Sequence, residues 1–90
     1  MTDANRLDGN VLGGPLGEIF AVDLTVATTT CASCRGVGPV AGLMVYMDAP
    51  GAVGRCPTCG SAQVRLVASA ERWWLDLSGV RAMEIPRPPS

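Results

Sequence analysis

The rhythm of apolar and polar positions changes once along this chain. Near the amino terminus Leu12, Leu16, Ile19 and Phe20 recur at four- and three-residue steps, the spacing that lines one stripe of a helix. Asp8 and Asn10 are residue types that cap helix starts, so a helix is predicted over 9–21. Pro15 removes an amide donor inside that span, and either kinks the helix or marks its true start with Gly14 before it. Residues 23–30 are rich in β-branched side chains and read as an extended connector. From residue 37 the pattern shortens into apolar runs split by turn signals. Strands are predicted at 40–47, 52–55, 62–68, 72–77 and 80–85, with the turn Asp48-Ala-Pro-Gly51 between the first two. In 62–68 Val64 and Leu66 share one face and Gln63 and Arg65 the other. In 72–77 Trp73, Leu75 and Leu77 face one way, and Arg72, Trp74 and Asp76 the other.

Ninety residues accommodate one domain, here 9–86, between a flexible amino terminus (1–8) and a Pro-rich tail (87–90). Leu, Val, Ile and Phe together make 21 of the 90, little above the level at which chains stay disordered, so a covalent or metal staple is expected. Seven Arg face eight acids with no Lys and no His, a balance that argues against a basic nucleic-acid domain. The lack of His also removes imidazole general-base chemistry and every Ser/His/Asp or Cys/His scheme. The acidic amino terminus is no secretory signal, and the longest apolar stretch is too broken to span a bilayer. A cytoplasmic location, where thiols stay reduced, is the expectation.

Chemistry is concentrated in four cysteines. Cys31-Ala-Ser-Cys34 and Cys56-Pro-Thr-Cys59 are two C-x-x-C units with 21 residues between them. Each can wrap a turn so that both sulfurs face one ion, and together they supply the four thiolates of a structural Zn²⁺, one per chain. Gly60 follows Cys59 and can take a positive φ, and Gly36 is the corresponding choice in the first unit. Arg35 and Arg55, each beside a ligand cysteine, can offset the charge of a four-thiolate complex. Iron held by the same four sulfurs is the rival reading. Disulfides suit an exported mini-protein, and a thioredoxin-like pair needs a βαβ setting that this chain lacks.

At these knuckles the chain resembles a zinc ribbon. More closely, Leu7-Asp-Gly-Asn10, residues 18–25, Arg55-Cys-Pro-Thr-Cys59 and Trp74-Leu-Asp-Leu-Ser-Gly79 resemble a family of small bacterial zinc-ribbon proteins of unknown function. The resemblance covers Leu7 to Pro86. It implies a small, mainly-β ribbon of antiparallel strands with two C-x-x-C knuckles and an amino-terminal helix, and Cys31, Cys34, Cys56 and Cys59 as ligands. It also implies company with flavin- or molybdopterin-dependent oxidoreductases, and no activity.

The expected role is therefore a non-catalytic, zinc-stabilised interaction module with a protein partner. Met44, Tyr46 and Trp74 are the candidate contact residues, on a sheet face opposite Trp73, Leu75 and Leu77. Alternatively the helix covers the sheet, with Leu16 and Phe20 in the core. A nucleic-acid ribbon remains a second reading if Arg65, Arg72 and Arg81 share a face with Trp74 as a stacking platform. An electron carrier follows only with iron. Four cysteine ligands close a metal's coordination shell, so no enzyme activity is expected, and with the apolar stretches too broken to span a bilayer no membrane partner is expected either.

Overall fold

The computed structural model describes residues 6–20, 23–48 and 51–87. A 3₁₀ turn, Gly9–Leu12, leads into helix α1, Gly13–Phe20. The helix predicted over 9–21 is thus two pieces, because the Asp8 carboxylate accepts the Asn10 amide at 3.0 Å and tightens the first turn. Pro15 is the third residue of α1, where a missing amide donor costs no intrahelical bond. Position 21 lies outside the described residues.

Among the described residues eight strands follow the antiparallel logic of the sequence in two sheets. Strands β1 (Arg6–Asp8), β4 (Met44–Asp48), β5 (Gly51–Arg55), β6 (Ala62–Ala68) and β7 (Trp73–Asp76) form a five-stranded sheet in the order β1-β4-β5-β6-β7. Strands β2 (Thr28–Cys31), β3 (Val37–Pro39) and β8 (Val80–Glu84) form a second sheet in the order β3-β2-β8. Several expectations are corrected here. Residues 6–8, assigned to a flexible terminus, pair with β4. The connector 23–30 holds a 3₁₀ turn, Leu24–Val26, capped by Asp23, before it becomes β2. The run 40–47 is a 3₁₀ turn, Val40–Gly42, followed by β4. The tip of the 48–51 turn and the end of the tail, 88–90, lie outside the described residues. Among the described residues no helix is long and apolar enough to cross a membrane.

Register assigns the faces. Val45, Gly54 and Val64 stand opposite one another, as do Ala52, Leu66 and Leu75, and these rows face the core. That core unites Leu12 and Leu16 with Leu24, Ala27, Val40, Leu43, Val45, Ala52 and Val64, and Ile19, Leu75, Leu77, Val80 and Met83 pack around it. The apolar stripe thus covers the sheet through Leu12 and Leu16, 1% and 2% exposed, while Phe20 at its end is 41% exposed and not a core residue. Gly9 permits the close fit of its turn: a Cβ there would lie 1.7 Å from the Val40 carbonyl oxygen.

Beside the 3₁₀ turn and the start of α1, part of the inner face is left bare as a groove of about 360 Å³ lined by Val11, Pro15, Met47, Leu66, Ala68 and Trp73, among others. Trp73, expected in the core, is a groove wall and is 42% exposed. Trp74, on the other face, is 55% exposed. Trp73→Ala is therefore expected to cost about 1–2 kcal/mol, below the ~3–5 kcal/mol of a fully buried ring. Trp74→Ala should stay within about 0.5 kcal/mol. Urea unfolding of both variants checks this, and an equal, severe loss would place Trp74 in the core.

Gln63 is the core residue that alternation hides. A register irregularity between Gly54 and Arg55 moves the pairing from Gly54↔Val64 to Arg55↔Ala62 and leaves Gln63 without an opposite number. Its side chain is buried beside that of Val64, and the Thr29 hydroxyl donates to Gln63 Oε1 at 2.7 Å. This bond ties β2 of the small sheet to β6 of the large one.

Candidate metal centre

The two C-x-x-C units form matching turns. Cys31 ends β2 and Cys56 follows β5, so each turn starts where a strand runs out. The Arg35 amide donates to the Cys31 carbonyl at 3.0 Å, and Gly60 repeats this with Cys56 at 2.8 Å. The Cys31 amide donates to the Gly36 carbonyl at 2.8 Å, and Cys56 does so to Ser61 at 2.9 Å. Backbone amides also point at sulfur, Gly36 to Cys34 Sγ at 3.3 Å and Thr58 to Cys56 Sγ at 3.4 Å. Such donors favour thiolate over thiol.

These turns bring all four sulfurs within 4.8 Å of one another, with Cys31 Sγ and Cys59 Sγ 3.7 Å apart and Cys34 Sγ and Cys56 Sγ also 3.7 Å apart. A tetrahedral ion with bonds to sulfur of about 2.3 Å needs sulfur–sulfur edges of about 3.8 Å, so the donor set fits such an ion. Cys31 and Cys56 are buried and Cys34 and Cys59 exposed, so the cluster sits at the surface with one member of each pair anchored inside. Since Cys31 belongs to the small sheet and Cys56 and Cys59 flank the β5–β6 connection of the large one, an ion here cross-links the sheets.

The residue with positive φ in the first turn is Arg35, at 62°, and not Gly36; its counterpart Gly60 has φ 80°. The two turns are equivalent residue by residue, so the left-handed position directly follows the second cysteine in each. Arg35→Gly is expected to stabilise the protein by about 1 kcal/mol, by relieving a conformation that only glycine adopts without cost. A raised urea midpoint at unchanged slope shows this; a lowered one contradicts it. Arg55, half-buried, donates from Nη1 to the Gly60 carbonyl at 3.0 Å and so places its charge beside the second turn. Arg35 is exposed.

The thiols differ in acidity. Hydrogen bonds from the Ser61 hydroxyl and then its amide hold Cys59 down at about 6. At Cys34 the Gly36 amide pulls the other way, but desolvation and the three neighbouring thiols outweigh it and push the group up to about 11. Burial raises Cys56, yet amides of Cys59 and Thr58 leave it lowered on balance. Metal capture replaces protons on sulfur, so apparent affinity should climb as pH rises from about 6 towards about 11, and acid should release the ion. Competition titrations across that range test the slope; a flat profile would contradict it.

The candidate contact residues lie on one face of the large sheet. Register puts Met44, Tyr46 and Trp74 on its outer side, together with Val53 and Val67. Tyr46 on β4 and Trp74 on β7 are three strand spacings apart, about 14 Å, so they share the face without forming one cluster. The proposed arginine platform is not assembled. Arg65 belongs to this sheet and Arg72 to the hairpin turn before β7, but Arg81 is on β8 of the other one. Arg65 also stands opposite Asp76, whose carboxyl is held low by the Ser78 hydroxyl and amide and further by Arg65.

A mainly-β chain with one amino-terminal helix and a tetra-cysteine cluster is the class of protein these observations define. Residues 2–88 match the model of a family of unknown function, DUF6510, and the chain belongs to that family. No curated protein and no solved structure matches it.

Proposed function

We propose that this protein is a zinc ribbon, a non-catalytic interaction module whose single Zn²⁺ is held by Cys31, Cys34, Cys56 and Cys59. The observation that carries the reading is the pair of 3.7 Å sulfur contacts between two matching turns, close to the edge of a four-thiolate tetrahedron. Four protein ligands leave no open position for water or substrate, which favours a structural role over a catalytic one. The outer face of the large sheet, with Trp74 exposed beside the half-buried Val67 and Met44 and Tyr46 further along, supplies the contact surface. An oxidoreductase is the first partner class to try, on the resemblance of the sequence motifs. Nucleic acid is disfavoured because Arg65 is partly neutralised by Asp76 and Arg81 lies on the other sheet.

Metal analysis of freshly purified, reduced protein tests the proposal. One zinc per chain and no visible absorption support it. Iron with charge-transfer bands would make the protein an electron carrier instead, and metal well below one per chain would remove the structural role.

A further inference from the structure

Strand β7 ends the large sheet, and among the described residues nothing pairs with its outer edge. An unpaired edge is commonly blunted by lysine, proline or a bulge; Trp73-Trp74-Leu75-Asp76 has none of these, and its one charge, Asp76, stands at the end of the strand. Both of its tryptophans are exposed instead. The direction of its free backbone groups follows from the hairpin: the Ser69 amide donates to the Arg72 carbonyl at 2.9 Å, so Arg72 and, two and four residues on, Trp74 and Asp76 turn their groups towards β6. Trp73 and Leu75 therefore point their N–H and C=O groups outward.

We propose that this edge pairs with the same edge of a second copy of the chain, antiparallel about a two-fold axis at Trp74, joining two five-stranded sheets into one of ten strands. The inference deepens the reading of this protein as an interaction module by naming a partner for the Trp74 end of its surface, and it rests on that reading. The register is chosen by chemistry. Pairing about Trp74 sets Trp73 opposite Leu75 of the partner subunit as a hydrogen-bonded pair, twice, which uses all the outward groups of those two residues. It sets Trp74 against its own counterpart, apolar on apolar. On the same outer face it sets the exposed Arg72, which precedes β7 and is tied to it by the hairpin bond to Ser69, opposite Asp76 of the partner subunit, again twice, so charge complementarity is satisfied at both ends. Moving the axis to Trp73 places Glu71 opposite Leu75, and moving it to Leu75 places Trp74 opposite Asp76. Neither forms a charge pair.

Sedimentation of the metal-loaded chain against concentration, up to about 1 mM as the limit of weak association, tests this. The expected result is a reversible shift from the 9.3 kDa chain to twice that mass, with slowed amide exchange at Trp73 and Leu75 as the dimer fills. Arg72→Asp puts like charges opposite one another at both ends and should weaken the dimer about tenfold or more. Asp76→Arg should do the same, while a mixture of the two variants should associate, because each then meets its opposite. Should Asp76→Arg fail to fold through loss of its bond to the Ser78 amide, wild type and Arg72→Asp decide between themselves. A monomer at every concentration, or equal dimer affinity for wild type and Arg72→Asp, overturns the proposal. Because metal content is measured on the same samples, a monomer that carries one zinc would refute the dimer and leave the zinc-ribbon reading standing.

Discussion

Chelating the metal from the loaded protein is expected to unfold its β portion. Structural zinc contributes an apparent ~10–16 kcal/mol in small sites, as much as or more than the ~5–15 kcal/mol that holds an ordinary domain together. The connections argue for an effect of that size here. The cysteine cluster, the Thr29–Gln63 bond and the contact of Ala32 with Gly79 are polar links between the two sheets or their loops, and the cluster has by far the largest stake. Without an ion, amide donors that favour thiolate charge sit around four sulfurs packed within 4.8 Å, an arrangement that repels itself. The core of nine buried side chains has little reserve against this. Loss of amide dispersion on chelation, restored by adding back one equivalent of zinc, is the expected record. A chelated sample that keeps its dispersion would mean that the core alone suffices.

Gly79→Ala is expected to be, with Gly9→Ala, among the most damaging small substitutions away from the cysteines. The turn between β7 and β8 lies against β6, and a Cβ at Gly79 would stand 1.8 Å from the Ala62 carbonyl oxygen and 2.8 Å from Gln63 Cα. Both are backbone atoms of a paired strand, so neither yields as a side-chain tip does. The Gly79 carbonyl also accepts the Ala32 amide at 2.9 Å, so displacing the turn pulls on the first cysteine turn. A cost of about 3 kcal/mol or more, at the top of the overpacking range, corresponds to a Tm about 12–24 °C lower. Gly14→Ala in α1 is the matched control, since nothing lies within 4 Å of its Cβ position, and it should stabilise by about 0.5–1 kcal/mol. A small effect at Gly79 would show that the turn can back away from β6 without harm.

What the sequence determined by itself lies within short spans. The cysteine spacing marks the four-cysteine cluster because each pair closes its own turn, and only the meeting of the two turns depends on the fold. The Leu12 and Leu16 stripe and the shared inward face of Val64 and Leu66 in strand 62–68 are equally local, since period alone puts each pair on one face. Even Trp73 and Trp74 had to face opposite ways. Tertiary structure decided everything that depends on which strand lies beside which. The sequence does not show that β2, β3 and β8 leave the main sheet, and with them Arg81 leaves the face that holds Arg65. Burial of Gln63 follows from a pairing slip beside Gly54, visible only when both strands are present. Trp73 is a groove wall because Val11, Leu12 and Pro15, at the start of the helical segment, border the space beside it without filling it, and the left-handed turn falls on Arg35 because the backbone hydrogen bonds of the two cysteine turns match residue for residue. Periodicity reports how a segment presents its faces, whereas exposure and register depend on non-local neighbours that no local pattern encodes.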